Sequence, residues 1–352
     1  MERLDNSDFL KRTDKSQMGK ILINFPQQCE GAVKIGRDFP ISGEYKDINK
    51  VLAIGMGGSA IGGDLLRSYL FKDLGIPLIV NRNYKIPHFV GQDTLIFASS
   101  YSGNTEETLS AYQEAHKRGA KIIGLTSGGK LKEYCQRDGN PVIIIPSGFP
   151  PRTALGYLFF PLIMILERLK LIRNKMEEIE ETIKILTKLS RELGPREKGN
   201  RAKRLAQELY NKVPVVYSSS EYFEPVALRW KDQFNENSKV FAIWNLFPEL
   251  NHNEIVGWEI LEEITKNFII ILIRDRDDFE RIKVRMDITK SIIKKKVSGI
   301  NEVWSEGSSL LARIFSLIYL GDFISFYLAI LNGVDPTPVK MIDLLKKELA
   351  KH

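Results

Sequence analysis

Cysteine is scarce in this chain: Cys29 and Cys135 are the only two in 352 residues. That excludes a disulfide framework and a thiolate metal cluster. Histidine is nearly as rare. His88, His116, His252 and His352 are scattered and never fall into an HExxH or similar ligand spacing, so no catalytic zinc is expected. Glycine (26) and proline (15) are too few for a fibrous or low-complexity protein. Charge of one sign is not in large excess either. The 51 basic residues face 44 acidic ones, a net +7, which tolerates nucleic acid but equally suits a small anionic substrate. The N-terminal segment MERLDNSDFLKRTDKS lacks the apolar stretch of a signal peptide. Long apolar runs are limited to one, residues 310–334, and Arg313 and Asp322 interrupt it. Each would cost roughly 2.5–3.5 kcal/mol at the centre of a bilayer. The run is therefore expected to form a buried helix, or a helix pair bent near Gly321, in a cytoplasmic protein with no membrane partner.

What is present is ordinary globular composition, 43% hydrophobic and 27% charged, in a chain long enough for two domains. Short apolar runs at 51–54, 77–80, 94–99, 120–125 and 141–145 read as buried strands, with helical spacing between them near 59–71, 105–118 and 129–137. That alternation predicts a parallel sheet covered on both sides. The apolar block 154–166 reads as a helix that closes this first domain, residues 1–166. Residues 167–212 turn charged and helical and are expected to be a connector, a solvated helix pair. A second alternating region, 213–352, has strand runs at 213–218, 239–244, 267–273 and 299–304, and its tail, 337–351, reads as an amphipathic helix. The fold class expected is α/β, two doubly wound parallel-sheet domains with flanking helices.

Two glycine- and hydroxyl-rich segments carry the chemistry. Gly55-Met56-Gly57-Gly58-Ser59-Ala60 follows the first strand and fits the dinucleotide fingerprint. However, the segment that should supply the ribose-binding acid is Val80-Asn81-Arg82-Asn83, which holds no carboxylate. Arg82 leaves open an NADP-dependent reductase, and backbone packed on backbone is the plain alternative. The second segment, Ser99-Ser100-Tyr101-Ser102-Gly103-Asn104-Thr105-Glu106-Glu107-Thr108, opens a helix after a strand. Its hydroxyls and free N–H groups, with the helix dipole, suit a phosphate. Simple capping is the competing explanation, with Asn104 or Ser102 as N-cap and Glu107 bonding back. The Walker pattern GxxxxGK[ST] occurs nowhere.

With these two motifs in this order, the chain resembles the sugar isomerase (SIS) fold, and more narrowly the bifunctional phosphoglucose/phosphomannose isomerases of archaea and some bacteria. Four further segments carry the likeness: Pro150-Pro151-Arg152, the run from Phe234 through Glu236 to Lys239, the run from Glu249 through His252 to Glu254 ahead of Gly257-Trp258, and a proline-containing lead into a C-terminal helix with Leu345-Lys346. The resemblance implies an aldose–ketose isomerase that interconverts glucose 6-phosphate and mannose 6-phosphate with fructose 6-phosphate, without a metal or other cofactor. It implies Glu236 as the base between C1 and C2, a task that a carboxylate performs if burial raises its pKa toward neutrality. Arg152 would stabilise the enediolate, and His252 would assist ring opening from the neighbouring subunit of a homodimer. A C-terminal lysine would lie near the ring oxygen. Lys346 is chosen, although Lys340 and Lys347 also qualify. Gly57, Gly58 and Ser59 would line the sugar, Ser100, Ser102 and Thr105 would hold its phosphate, and Thr337 would leave room for either C2 epimer. A non-catalytic SIS-type regulator that binds sugar phosphate, with no nucleic-acid module evident, is the alternative.

Overall fold

The computed structural model describes residues 2–41 and 45–351; Met1, residues 42–44 and His352 lie outside the described residues. The chain forms two compact units. One comprises Asn24–Ile183 with Ser309–Leu311, and the other Met1–Ile23, Lys184–Ser308 and Ala312–His352.

The first unit holds a five-stranded parallel sheet of β1 (Lys50–Ile54), β2 (Leu78–Asn81), β3 (Thr94–Ser99), β4 (Lys121–Thr126) and β5 (Val142–Ile144), in the order β2-β1-β3-β4-β5. Every residue of β3 is buried, so the strand reads as a continuous apolar run rather than an alternating one. Helices Gly57–Tyr69, Glu106–Lys117 and Gly129–Arg137 connect the strands. One side of the sheet is filled by Ile54, Ile96, Ala98, Tyr112, Leu131 and Cys135. Strand order reverses between β1 and β3, and in open α/β sheets ligands bind outside the carboxyl ends of the strands at such a reversal. Both chemical motifs of the first domain follow these two strands.

The second unit holds β6 (Val213–Ser219), β7 (Ile243–Phe247), β8 (Phe268–Arg274) and β9 (Gly299–Trp304), all parallel, in the order β7-β6-β8-β9. The strand expected at 239–244 begins only at Ile243. A π-helical turn, Phe234–Ser238, precedes it, and Lys239 takes a left-handed conformation (φ 58°), so the apolar residues before Ile243 make the approach to the strand.

The long apolar run is one continuous helix, Leu310–Leu331, rather than a helix pair. It is long and apolar enough to cross a membrane, and its residues from Leu311 to Leu331 are buried inside the protein. Its two charges are satisfied there. The Arg313 Nε lies 3.0 Å from Asp275, and Asp322 accepts from Arg229 and Gln233, both at 2.8 Å. Gly321 is required by packing, since a Cβ there would lie 2.3 Å from Nε1 of Trp230.

The charged stretch 167–212 forms helices Met176–Glu192 and Arg201–Glu208, which are not simply solvated. Ile179, Leu186, Leu189, Leu205 and Ala206 are buried, because apolar residues recur at helical spacing between the charges. Lys203 is buried as well. Its ammonium donates to Asp5 at 2.8 Å and to the carbonyls of Pro195 and Glu197 at 2.9 and 2.8 Å. The C-terminal helix, Lys340–Leu349, is exposed along its whole length.

Candidate active site

In the first unit three segments meet beyond the carboxyl ends of β1 and β3. The helix Gly57–Tyr69 starts at Gly57 (φ 49°), where nothing lies within 4 Å of a Cβ position. Beside it, a Cβ on Gly58 would sit 2.9 Å from the backbone N of Arg152, so only glycine lets the helix start approach the arginine-bearing turn. Ser59 Oγ accepts from the N–H of Tyr101 at 3.0 Å and thereby joins the first segment to the hydroxyl-rich loop.

Within that loop, Ser100 Oγ and Thr105 Oγ1 lie 2.9 Å apart. Thr105 occupies the N-cap position of helix Glu106–Lys117 but makes no capping bond with its side chain. Neither Ser102 nor Asn104 is the N-cap. Ser102 Oγ accepts from the N–H of Asn104 at 3.2 Å, and Asn104 Oδ1 accepts from the N–H of Lys130 at 3.2 Å. The capping explanation therefore does not describe this loop. An uncapped helix start leaves backbone donors and the positive end of the dipole available to an anion. Gly103 (φ 72°) is held so tightly that a Cβ would fall 1.8 Å from the carbonyl oxygen of Gly128.

Arg152 lies buried in the 3-10 turn Pro151–Thr153. Two residues that sequence reasoning missed hold this region. The Tyr101 hydroxyl donates to Pro146 O at 3.0 Å and accepts from Phe149 N–H at 2.8 Å, which fixes the chain leading into the turn. The buried Gln28 amide donates to Thr153 O and accepts from Gly156 N–H, both at 2.9 Å, and so ties the turn to the helix Leu155–Arg168.

In the second unit Glu236 is half-buried on the π-helical turn that extends helix Glu224–Gln233. Such turns recur at functional sites because they interrupt the regular helical ladder. Lys239 donates to the carbonyls of Glu236 and of Pro336, the latter at 3.0 Å, which brings the turn beside the segment carrying Thr337. Thr337 is half-buried, and its N–H donates to Asp335 at 3.1 Å. His252 is exposed at the end of the 3-10 turn Glu249–His252. Glu254 fixes the loop after it. Its carboxylate accepts from the Tyr217 hydroxyl and from Asn245 Nδ2, the latter at 2.5 Å. Lys346, with Lys340 and Lys347, stands exposed on the C-terminal helix.

Other candidates are committed elsewhere. Arg82 pairs with both carboxylate oxygens of Asp64, one at 3.1 Å, so it does not offer a free guanidinium to a cofactor phosphate. Burial pushes the Cys135 thiol up to about 11 and the Cys29 thiol well above its ordinary value, so neither is a nucleophile at neutral pH.

Comparison with known proteins places the chain among sugar-phosphate enzymes. Residues 44–145 match the SIS domain, and residues 198–349 match the bacterial phospho-glucose isomerase C-terminal SIS domain. The bifunctional phosphoglucose/phosphomannose isomerase of Caldicellulosiruptor bescii is 52% identical over 336 residues, covering 95% of this chain and 99% of that protein. The enzyme of the same name from Aquifex aeolicus is 38% identical over 333 residues, 92% of this chain and 99% of that one. Among solved structures, a glucose-6-phosphate isomerase like protein from Thermus thermophilus matches with a TM-score of 0.66 at 20% identity, covering 96% and 99% of the two chains. At that identity the structural likeness is one of fold.

Proposed function

The chain belongs to the bifunctional phosphoglucose/phosphomannose isomerase family, and from that membership we propose that it interconverts glucose 6-phosphate and mannose 6-phosphate with fructose 6-phosphate. The observation that carries this reading is the 52% identity across essentially the whole length of a named relative. Glucose and mannose differ only at C2, so removing the C2 proton from either open-chain aldose gives the same cis-enediolate. Returning that proton to C1, as the carbonyl moves to C2, gives the ketose. The reaction is a proton transfer that a carboxylate can perform without a metal.

In this scheme Glu236 is the base. The uncapped start of helix Glu106–Lys117, with Ser100, Ser102 and Thr105, binds the phosphate, and the Ser100–Thr105 hydroxyl pair supports that role. Gly57, Gly58 and Ser59 line the sugar. Arg152, buried and close to Gly58, is the fixed cation that stabilises the enediolate. His252 and Lys346 serve ring opening, and Thr337 shapes the space around C2. The active species is a cytoplasmic homodimer in which His252 enters the neighbouring site. The exposed His252 and the exposed apolar residues that follow it, Val256, Ile260, Leu261 and Ile264, support an interface there. A non-catalytic regulator would need the phosphate loop but no base, and family membership favours the enzyme.

Glu236→Gln tests the assignment. The amide keeps size and polarity but cannot accept the proton, so kcat falls on the order of 10²–10⁴-fold with both aldose phosphates. KM stays near the wild-type value, because the phosphate loop lies on a separate segment. Coupled assays with each substrate measure this, and near-normal turnover would remove Glu236 from the mechanism.

A further inference from the structure

The helix Leu310–Leu331 carries polar groups that its packing does not call for. Asp322 and Ser325 are both buried, in a helix otherwise made almost entirely of apolar side chains. A buried ion pair costs desolvation that an apolar replacement of similar volume would avoid, so its presence is poorly explained by stability alone. Its partners give the explanation. Arg229, Gln233 and Asn237 follow one another at intervals of four along the helix Glu224–Gln233 and its π-helical extension. Arg229 and Gln233 donate to the two carboxylate oxygens of Asp322, both at 2.8 Å. Asn237 Nδ2 donates to Ser325 Oγ at 3.0 Å, and Ser238 Oγ donates to the Ser325 carbonyl at 2.7 Å. Ser325 Oγ donates in turn to the Asp322 carbonyl at 2.8 Å, while Asn332 Nδ2 donates to the Ser238 carbonyl at 3.0 Å. The chain on both sides of Glu236 is thus bonded to one helix, at residue 233 before it and at residues 237 and 238 after it.

We infer that Asp322 and Ser325 are positioning residues for Glu236: they fix the π-helical turn that carries it and so set where the carboxylate stands. The inference rests on the reading of Glu236 as the base. A π-helical turn has poorer intrinsic geometry than the α-helix it interrupts. Without side-chain bonds on both flanks it would relax toward a regular helical turn and displace residue 236. A displacement of about 1 Å at a reacting group costs on the order of 10²-fold in rate.

Ser325→Ala, which removes one hydroxyl and leaves the helix intact, is introduced into the wild type and into Glu236→Gln. In the wild-type background kcat for glucose 6-phosphate should fall about tenfold or more while KM changes less than about twofold. In the Glu236→Gln background the same substitution should change the residual kcat less than about twofold, because a residue acting through Glu236 has nothing left to position. Asp322→Asn, compared at the same temperature, should show the same pattern. An equal fractional loss in both backgrounds, or an unchanged kcat for Ser325→Ala in the wild type, overturns the inference. Failure of the base assignment looks different, since Glu236→Gln alone would then keep wild-type turnover.

Discussion

Asp278 stands beyond the carboxyl end of β8, the strand next to β6, as the hydroxyl-rich loop stands beyond β3 next to β1. The two positions have opposite chemistry. After β3 the chain offers hydroxyls and uncapped N–H groups. After β8 it has placed a carboxylate of its own: Asp278 Oδ1 accepts from Ser219 Oγ at 2.6 Å, and Oδ2 accepts from Asp275 N–H at 2.9 Å. Burial, chiefly, raises the Asp278 pKa above its ordinary 3.8, and the nearby Asp275 carboxylate adds to the rise. A folded-state pKa above the unfolded one means that the native protein binds the proton more tightly. The ionised group therefore lowers stability at neutral pH, and the penalty fades as pH falls through the raised value toward 3.8. Asn resembles the protonated form in shape and charge. Asp278→Asn should therefore raise Tm at pH 7 by a few degrees, with the gain shrinking in acid. Calorimetry at a series of pH values measures it; a lower Tm at pH 7 would show that the hydrogen bonds to the carboxylate outweigh its desolvation.

At the scale of elements, Gly321 decides how helix Leu310–Leu331 meets helix Glu224–Gln233. Trp230 lies against it and donates its indole N–H to Leu317 O at 2.9 Å. Two effects of Gly321→Ala oppose each other. Helix propensity favours alanine by up to about 1 kcal/mol, whereas overpacking a tight core costs about 1–3 kcal/mol. With a Cβ falling 2.3 Å from Trp230 Nε1, the second should win, so the urea midpoint should drop and Trp230 fluorescence should shift. A stabilised variant would show that the indole moves aside at little cost. Elements such as β3 and helix Gly129–Arg137 were legible because their signals are local, a run of buried residues in the one and helical spacing in the other. β7 was displaced because the π-helical turn and the left-handed Lys239 carry no pattern in composition. The short N-terminal helices Glu2–Asp5, Ser7–Thr13 and Met18–Ile23, and the longer Phe25–Asp38, were not foreseen. The hydroxyl-rich helix start after β3 was visible in the sequence. The supports of the Arg152 turn and of the turn carrying Glu236 were not, because Gln28 bonds a residue 125 positions away and Asn237 one 88 away, and no local window joins such pairs.

At the scale of the whole molecule, two parallel sheets of one class carry different chemistry at corresponding places. Beyond its strand-order reversal the first carries the hydroxyl-rich, uncapped helix start, while the second fills the corresponding place with Asp278 and carries Glu236 on a π-helical turn and His252 on a loop. If His252 serves the neighbouring subunit's site, each site takes Glu236 from one chain and His252 from the other. That arrangement makes a prediction which a site built from one chain cannot satisfy. Glu236→Gln and His252→Ala should each be nearly inactive as homodimers. Co-expressed in equal amounts, they assort so that about half the dimers are mixed. In a mixed dimer one site combines both defects, and the other combines an intact Glu236 with an intact His252. The mixture should regain about one quarter of wild-type kcat per chain. Light scattering should give twice the 40.2 kDa chain mass for every species. Activity that stays at the level of the separate variants in a verified mixed dimer would place Glu236 and His252 of one site on the same chain.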